Sequence, residues 1–401
     1  MIKLLMFLPL CVLSTSAIAA TAPFNHDPAV AEEFRVRAGL PNFFAKLKAN
    51  APVRIAYLGG SITAANGWRP KTTAWFKERY PGSVITEINV AISGTGSDYS
   101  ACRLMKDVMP QKPDLVFLEC RVNGGGGYEQ KSVEGIVRQI WKTSPRTDIC
   151  FVYTICEWML ADLKAGKSPA FSKTMEEIAN VYGIPTIDVG VEIARREADG
   201  SLIFKGNAPV EGKLVFSADG THPGDAGHDV YRDVIVRCML KMKYTATAKS
   251  HTLPTAMSAN CWQTTDLLPI QKAVLSNRWV PVDIATDLVY NDDRGRTEAM
   301  LHETVKCSKI GESFTVKWNG TTVGISDIPY GESSILEAVV DNGAPISIER
   351  VQYEKIRKYA RFWYLPEQPL GDHTVTFTVK KLPEGQSFYA GHLLIVGKLI
   401  P

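Results

Sequence analysis

The chain is constrained most by a rhythm. Apolar, β-branched runs begin near Val53 (VRIAYLG), Val84 (VITEINVA), Leu115 (LVFLEC), Ile149 (ICFVYTI) and Ile184 (IPTIDV), with starts 31, 31, 34 and 35 residues apart. The gaps hold helical patterns, WRPKTTAWFKERY, SDYSACRLMKDVM, KSVEGIVRQIWKT and SKTMEEIANVYG, and AGHDVYRDVIVRCMLKM closes the series. Strands that are apolar on both faces at this spacing suit a parallel sheet covered by helices, built from βαβ units. The preceding stretch, PAVAEEFRVRAGLPNFFAKLKAN, reads as one or two helices. Ligands of such a sheet bind beyond the carboxyl ends of its strands.

From Tyr244 the texture changes. A small, polar stretch leads into short alternating runs: ESFTVKWNGTTVGISDI, SSILEAVVDNG, ISIERVQYE, HTVTFTVKKL and HLLIVGKLI. Asn319-Gly320 and Asn342-Gly343 read as turns between them. The division expected is a leader at 1–19, an α/β domain at 20–245, a linker at 246–260 and a β-sandwich at 261–401. The leader MIKLLMFLPLCVLSTSAIAA has one lysine, an apolar stretch and an Ala-Ile-Ala end, which predicts cleavage near Ala19 and a secreted or periplasmic protein. No other segment is apolar and long enough to span a bilayer. A formal net charge of +3 without a basic stripe argues against nucleic acid as a partner. Cys102, Cys120, Cys150 and Cys238 stand in apolar runs, as small core residues do, and no C-x-x-C metal pair occurs. Neither a metal nor a cofactor is expected.

The loops at the strand ends carry the chemistry. YLGGSITAANGW puts Ser61 behind two glycines where the first strand passes into a helix. A serine nucleophile needs a base, usually histidine, and the base needs an orienting group. Between residues 50 and 245 the only histidines are His222 and His228, and His222 follows Asp219 by three residues in SADGTHPGDAGH. Asp-x-x-His can set the carboxylate against one ring nitrogen and leave the other for Ser61. The same fragments also suit helix caps. Donors for an oxyanion are on offer at Gly94 in NVAISGTGS, at Asn123 in RVNGGGG and at the Ser61 backbone N–H. The glycine run Gly124–Gly127 could equally be a flexible loop. Trp68, Tyr99, Tyr128 and Trp158 fall on or near these loops, able to stack on sugar rings or to pack. Arg121 at a strand end could meet a sugar acid or form an ion pair.

These blocks, in this order, resemble the SGNH, or GDSL-like, hydrolase superfamily: GGSIT, Gly94, Asn123 and DGTHP, over roughly residues 50–243. The resemblance implies a flavodoxin-like α/β/α sandwich and metal-free ester hydrolysis. Ser61 would be nucleophile, His222 base and Asp219 its partner, with Ser61, Gly94 and Asn123 forming the oxyanion hole. Two positions depart from the pattern. Gly59-Gly60-Ser61 stands for Gly-Asp-Ser, and Arg121-Val122-Asn123-Gly124 for Gly-x-Asn-Asp. The later part, especially RFWYLPEQPLGDHTVTFTV, resembles β-sandwiches beside exported carbohydrate esterases. Polar, Gly-rich loops favour a short acyl group on an acetylated poly- or oligosaccharide. The alternatives are a lipid or thioester acylhydrolase on the same scaffold, or a non-catalytic glycan-binding protein.

Overall fold

The computed structural model describes residues 24–243, 245–287, 295–329, 332–351 and 359–401; the leader expected at 1–19 lies outside them. Six strands form the first sheet: β1 (Phe34–Arg35), β2 (Val53–Gly59), β3 (Ile85–Asn89), β4 (Leu115–Glu119), β5 (Asp148–Tyr153) and β6 (Thr186–Asp188). Their order is β1-β6-β5-β4-β2-β3, and β2 to β6 are parallel throughout. The five apolar runs therefore form a doubly wound sheet whose order reverses beside β2, so a crevice opens where β2 ends at Gly59. In place of a helix, Phe34–Arg35 adds an antiparallel edge strand against β6. Arg35 is buried there, donating to the Asn25, Asp27 and Val30 carbonyls and pairing with Glu176.

Helices cover both faces. The chain supplies α1 (Pro41–Lys48), α2 (Ser61–Ala64), α3 (Trp68–Arg79), α4 (Ser97–Arg103), α5 (Glu129–Thr143), α6 (Leu160–Lys164), α7 (Ala170–Tyr182), α8 (Val189–Ala198) and α9 (Asp225–Met242). Alternate residues of β2 divide between the two layers. Val53, Ile55 and Tyr57 join the core under α1, α3, α8 and α9, while Ala56 and Leu58 join the one under α4, α5 and α7. A two-stranded parallel ribbon, β7 (Leu202–Lys205) and β8 (Leu214–Ser217), precedes the Asp219 loop. Nothing in the spacing of apolar runs marked it, because each strand has four residues.

The later part forms one continuous ten-stranded antiparallel sheet. Its longest strand, Ser313–Asp327, pairs with Gly371–Lys381 over its first half and with Phe388–Leu399 from Trp318 onward. Asn319-Gly320 lies inside that strand rather than in a turn. A side chain on Gly320 would come within 2.0 Å of the Val396 carbonyl, so this glycine serves a close approach of two strands at a bulge. Asn342-Gly343 does turn, with Asp341 and Asn342 both at positive φ. Phe314, Val316, Val375 and Phe377 belong to the sheet's own core.

The two sheets meet on α4 and α5. Trp262, Leu267, Met300, Leu394 and Val396 enter the same cluster as Tyr99, Ile136 and Ile140. Residues 246–260, the expected linker, are strapped across the α/β face. His251 stacks on Trp141 at 4.4 Å and 5°, and its Nε2 lies 2.7 Å from Asp148. Buried Glu134 accepts from the Met257 and Ser258 N–H groups and from the Tyr182 hydroxyl. Gly135 carries no side chain because the Trp262 backbone lies against it: a Cβ there would be 2.4 Å from the Trp262 oxygen. Gly135→Ala should therefore destabilise the protein by about 1–3 kcal/mol, the usual cost of overpacking. Calorimetry should show a lower Tm, and an unchanged Tm would mean that the contact is slack.

Candidate active site

The turn after β2 is built by exclusion of side chains. A Cβ on Gly59 would lie 2.6 Å from the Glu119 carbonyl oxygen and 2.9 Å from Thr63 Oγ1. One on Gly60 would lie 1.8 Å from Asn123 Oδ1. This is the physical reason for glycine where the family pattern has aspartate: the Asn123 side chain fills the space that a residue at 60 would need. The chain turns within these two residues, and Ser61 opens α2. Beneath it lies Glu119, buried at the end of β4. Its carboxylate accepts from Thr63 Oγ1 at 2.9 Å, Thr154 Oγ1 at 2.7 Å and the Gly60 N–H at 3.4 Å. Burial raises the pKa of this carboxyl, and the hydroxyl donors oppose that shift. Glu119 closes an apolar run; an acid in that position is the sequence signal that marks it.

Ser61 Oγ lies 2.8 Å from His222 Nε2, and His222 Nδ1 lies 2.7 Å from Asp219 Oδ2. With its proton on Nδ1, the imidazole donates to Asp219 and offers Nε2 to the serine hydroxyl. Asp219 is half exposed, yet its other oxygen accepts from the His222 and Thr221 N–H groups at 2.8 Å each and from the Ser217 hydroxyl at 3.0 Å. Partial burial lifts its pKa, but the His222 ring and these donors outweigh that and hold the carboxyl well below the usual range. The Asp-x-x-His segment is thus a closed turn rather than a helix cap. The second histidine is elsewhere engaged: buried His228 packs against Gly67, and its Nδ1 accepts from the Trp68 N–H at 3.2 Å.

Gly94 and Asn123 come to the same edge. Gly94 adopts φ +67°, and a Cβ there would sit 2.4 Å from Arg296 Nη1. Arg296, buried in the later part of the chain, holds this loop by donating to the Ser93 carbonyl at 2.6 Å and the Ala360 carbonyl at 2.7 Å. Burial and the neighbouring Arg361 lower its pKa to about 10. Residue patterns near Arg296 held no hint of this, because the contact spans two hundred positions. The glycine run is pinned, too. Glu129 accepts from the Gly125 and Gly127 N–H groups, and Ser97 N–H donates to the Gly124 carbonyl at 2.9 Å. Gly124 stands at φ +72°, the left-handed region that glycine enters most freely.

Of the alternatives open for the residues near the strand ends, Trp68, Tyr128 and Tyr99 take packing and Arg121 an ion pair. Trp68 is fully buried, edge-on to Tyr57 and Phe117, because it starts α3 on the core side. Tyr128 packs against Trp262 at 4.8 Å and Tyr364 at 5.8 Å, so its ring joins the two parts of the chain. Tyr99 is likewise buried, against Phe362. Arg121 is buried in a bidentate pair with Asp188, 2.6 and 2.8 Å, and also donates to the Tyr153 and Thr154 carbonyls. Trp158 alone is displayed, 67% exposed. The preceding Glu157 N–H donates to the Gly220 carbonyl at 2.8 Å, so the backbone just before Trp158 runs beside the Asp219–His222 turn. Every described cysteine is buried and unbridged, and burial pushes the Cys156 thiol up to about 11 and the Cys102 thiol to about 12.

Comparison with known proteins bears on the class. Residues 57–230 match the model of the GDSL-like Lipase/Acylhydrolase family. The α/β part of this chain is therefore similar to GDSL-like acylhydrolases over those residues. Its whole architecture is similar to a two-domain esterase (CEX) active on acetylated mannans. That similarity has a TM-score of 0.72 at 20% identity and covers 92% of this chain and 97% of the other. The same esterase co-crystallised with mannopentaose gives 0.71 at the same identity and coverage. No curated protein matches the chain in sequence. No helix among the described residues is long and apolar enough to cross a membrane.

Breaking a buried ion pair by removing one partner costs about 3–5 kcal/mol. Arg121→Met should accordingly lower the denaturation midpoint by that equivalent while leaving KM for a soluble acetyl ester unchanged. A raised KM with unaltered stability would return Arg121 to the substrate site.

Proposed function

We propose that this protein is an exported serine esterase that removes acetyl groups from a poly- or oligosaccharide. The observation that carries the reading is the unbroken relay from Ser61 Oγ through His222 to Asp219, at 2.8 and 2.7 Å, on the edge where the sheet order reverses. In this mechanism His222 Nε2 takes the Ser61 proton as Oγ attacks the acetyl carbonyl. The Ser61 and Gly94 N–H groups and the Asn123 side-chain amide receive the developing oxyanion. His222 then gives the proton to the sugar oxygen, which leaves, and water attacks the acyl-serine by the same route in reverse. Asp219 keeps the ring in its working tautomer. Glu119 does not touch the reacting atoms; it holds the turn that presents Ser61.

Three features favour sugar over lipid. The loops around Ser61 are polar and Gly-rich, Trp158 offers an exposed ring for stacking, and the similar two-domain esterase acts on acetylated mannans. The leader at 1–19 supports export. In this reading residues 20–245 are the catalytic domain and 261–401 an accessory domain docked onto it.

The test is acetate release from acetylated glycans by wild type and Ser61→Ala. The variant should keep its Tm and lose at least about 10³-fold in kcat, and Asp219→Asn should lose a similar factor. Full activity in Ser61→Ala would discard the mechanism. Activity rising towards long acyl chains would instead favour a lipid substrate. Trp158→Ala should raise KM for acetylated oligosaccharide several-fold while sparing a synthetic acetyl ester, since a stacking contact is worth about 0.5–1.5 kcal/mol. Equal effects on both substrates would remove the indole from sugar binding.

A further inference from the structure

Away from Ser61, one buried imidazole has no use in the reading above. His392 lies on the strand Phe388–Leu399 with no exposure, and its Nε2 has no hydrogen-bond partner. Its other nitrogen faces the Met300 carbonyl at 2.8 Å, so Nδ1 carries the proton and the lone pair of Nε2 is directed outward. A carboxylate and a second imidazole meet it there. Glu303 Oε2 lies 3.7 Å from His392 Nε2 and 3.3 Å from His302 Nε2. All three candidate ligand atoms fall within 4.8 Å of one another.

We propose that His302, Glu303 and His392 form a binding site for a divalent transition metal, best suited to zinc. Metal–ligand bonds of about 2.0–2.1 Å in a tetrahedron set ligand atoms roughly 3.3–3.4 Å apart. The two edges at Glu303 measure 3.3 and 3.7 Å, and rotation of the exposed His302 closes the third. Two neutral imidazoles and one carboxylate suit zinc, whereas calcium and magnesium prefer oxygen alone. The Met300 carbonyl supplies the outer contact that fixes the ligating tautomer of a metal-bound histidine. Lys106 Nζ, 3.3 Å from Glu303 Oε2, is the one cation in competition that these contacts show, and an arriving ion would displace it from that oxygen.

The site's position suggests what it does. The helix Arg296–Leu301 begins with the arginine that holds the Gly94 loop and ends directly before His302. A metal bridging His302 and Glu303 to His392 would clip that helix to the strand Phe388–Leu399. It would thereby steady the support of the Gly94 loop without touching substrate. This role is structural, and it stands whether or not the ester substrate is a sugar.

The test is metal content and thermal stability of untagged protein. After equilibrium dialysis against zinc chloride, wild type should hold one more zinc ion per chain than His302→Ala/Glu303→Gln. Both exchanged side chains are exposed, so the variant should fold, which circular dichroism checks. The wild-type Tm should rise with zinc concentration and fall back with a chelator, and the variant should lack that response. Each single substitution should weaken zinc binding by more than roughly tenfold, the loss that even outer-shell changes bring at metal sites. Equal zinc content in wild type and the double variant, or no zinc bound by either, would overturn the proposal.

Discussion

Everything in this molecule leans on helix α5, which is buried on two sides. Its apolar residues Ile136 and Ile140 face the parallel sheet, while Glu134, Gly135, Arg138 and Gln139 receive the chain that follows the α/β domain. Several of their polar atoms pair with the backbone of that following chain. Gln139 Nε2 donates to the Trp262 carbonyl at 2.7 Å, and Arg138 Nη1 donates to the Pro254 carbonyl at 2.8 Å. Buried groups of this kind cost free energy unless paired, so they fix the docking of the later sheet in one orientation. That orientation carries Arg296 to the Ser93 carbonyl, 34 to 42 residues beyond the positions that α5 holds.

The proposed catalytic edge is consequently assembled from both parts of the chain. The α/β domain contributes Ser61, His222, Asp219, Gly94 and Asn123, and the later sheet contributes the guanidinium beneath Gly94. A preorganised oxyanion site needs donors that do not move as charge develops. Loops alone hold such donors poorly. Here the glycine run is tied by Glu129 and by Ser97, and the Gly94 loop by Arg296. The glycines in both segments are therefore marks of close packing and positive φ as much as of access to a ligand.

Much of the site was legible in the chain. Ser61 behind Gly59-Gly60 and His222 three positions after Asp219 are local patterns, and strand-end topology brings local patterns together. Other positions stayed open between two roles for a common reason. Trp68, Tyr128 and Arg121 are polar or aromatic residues near strand ends, and sequence position there does not tell which way a side chain points. Trp68 begins α3 on its inner face, Tyr128 meets Trp262, and Arg121 turns beneath the sheet edge to Asp188. Glu119 and Arg296 escaped notice because their value lies in contacts distant along the chain.

The sequence by itself determined the parallel sheet, the order of its strands' loops and the local turn that brings Asp219 to His222. These follow from periodicity, from glycine's missing Cβ and from the short reach of an i, i+3 pair. Only the tertiary structure decided which ionisable groups became buried and with what partners. It drew Glu119 under Ser61, Arg296 under Gly94, and His392 to the His302–Glu303 pair, across separations of 58, 202 and 89 residues. No periodicity encodes such meetings, because they depend on how two separately patterned sheets pack about α5.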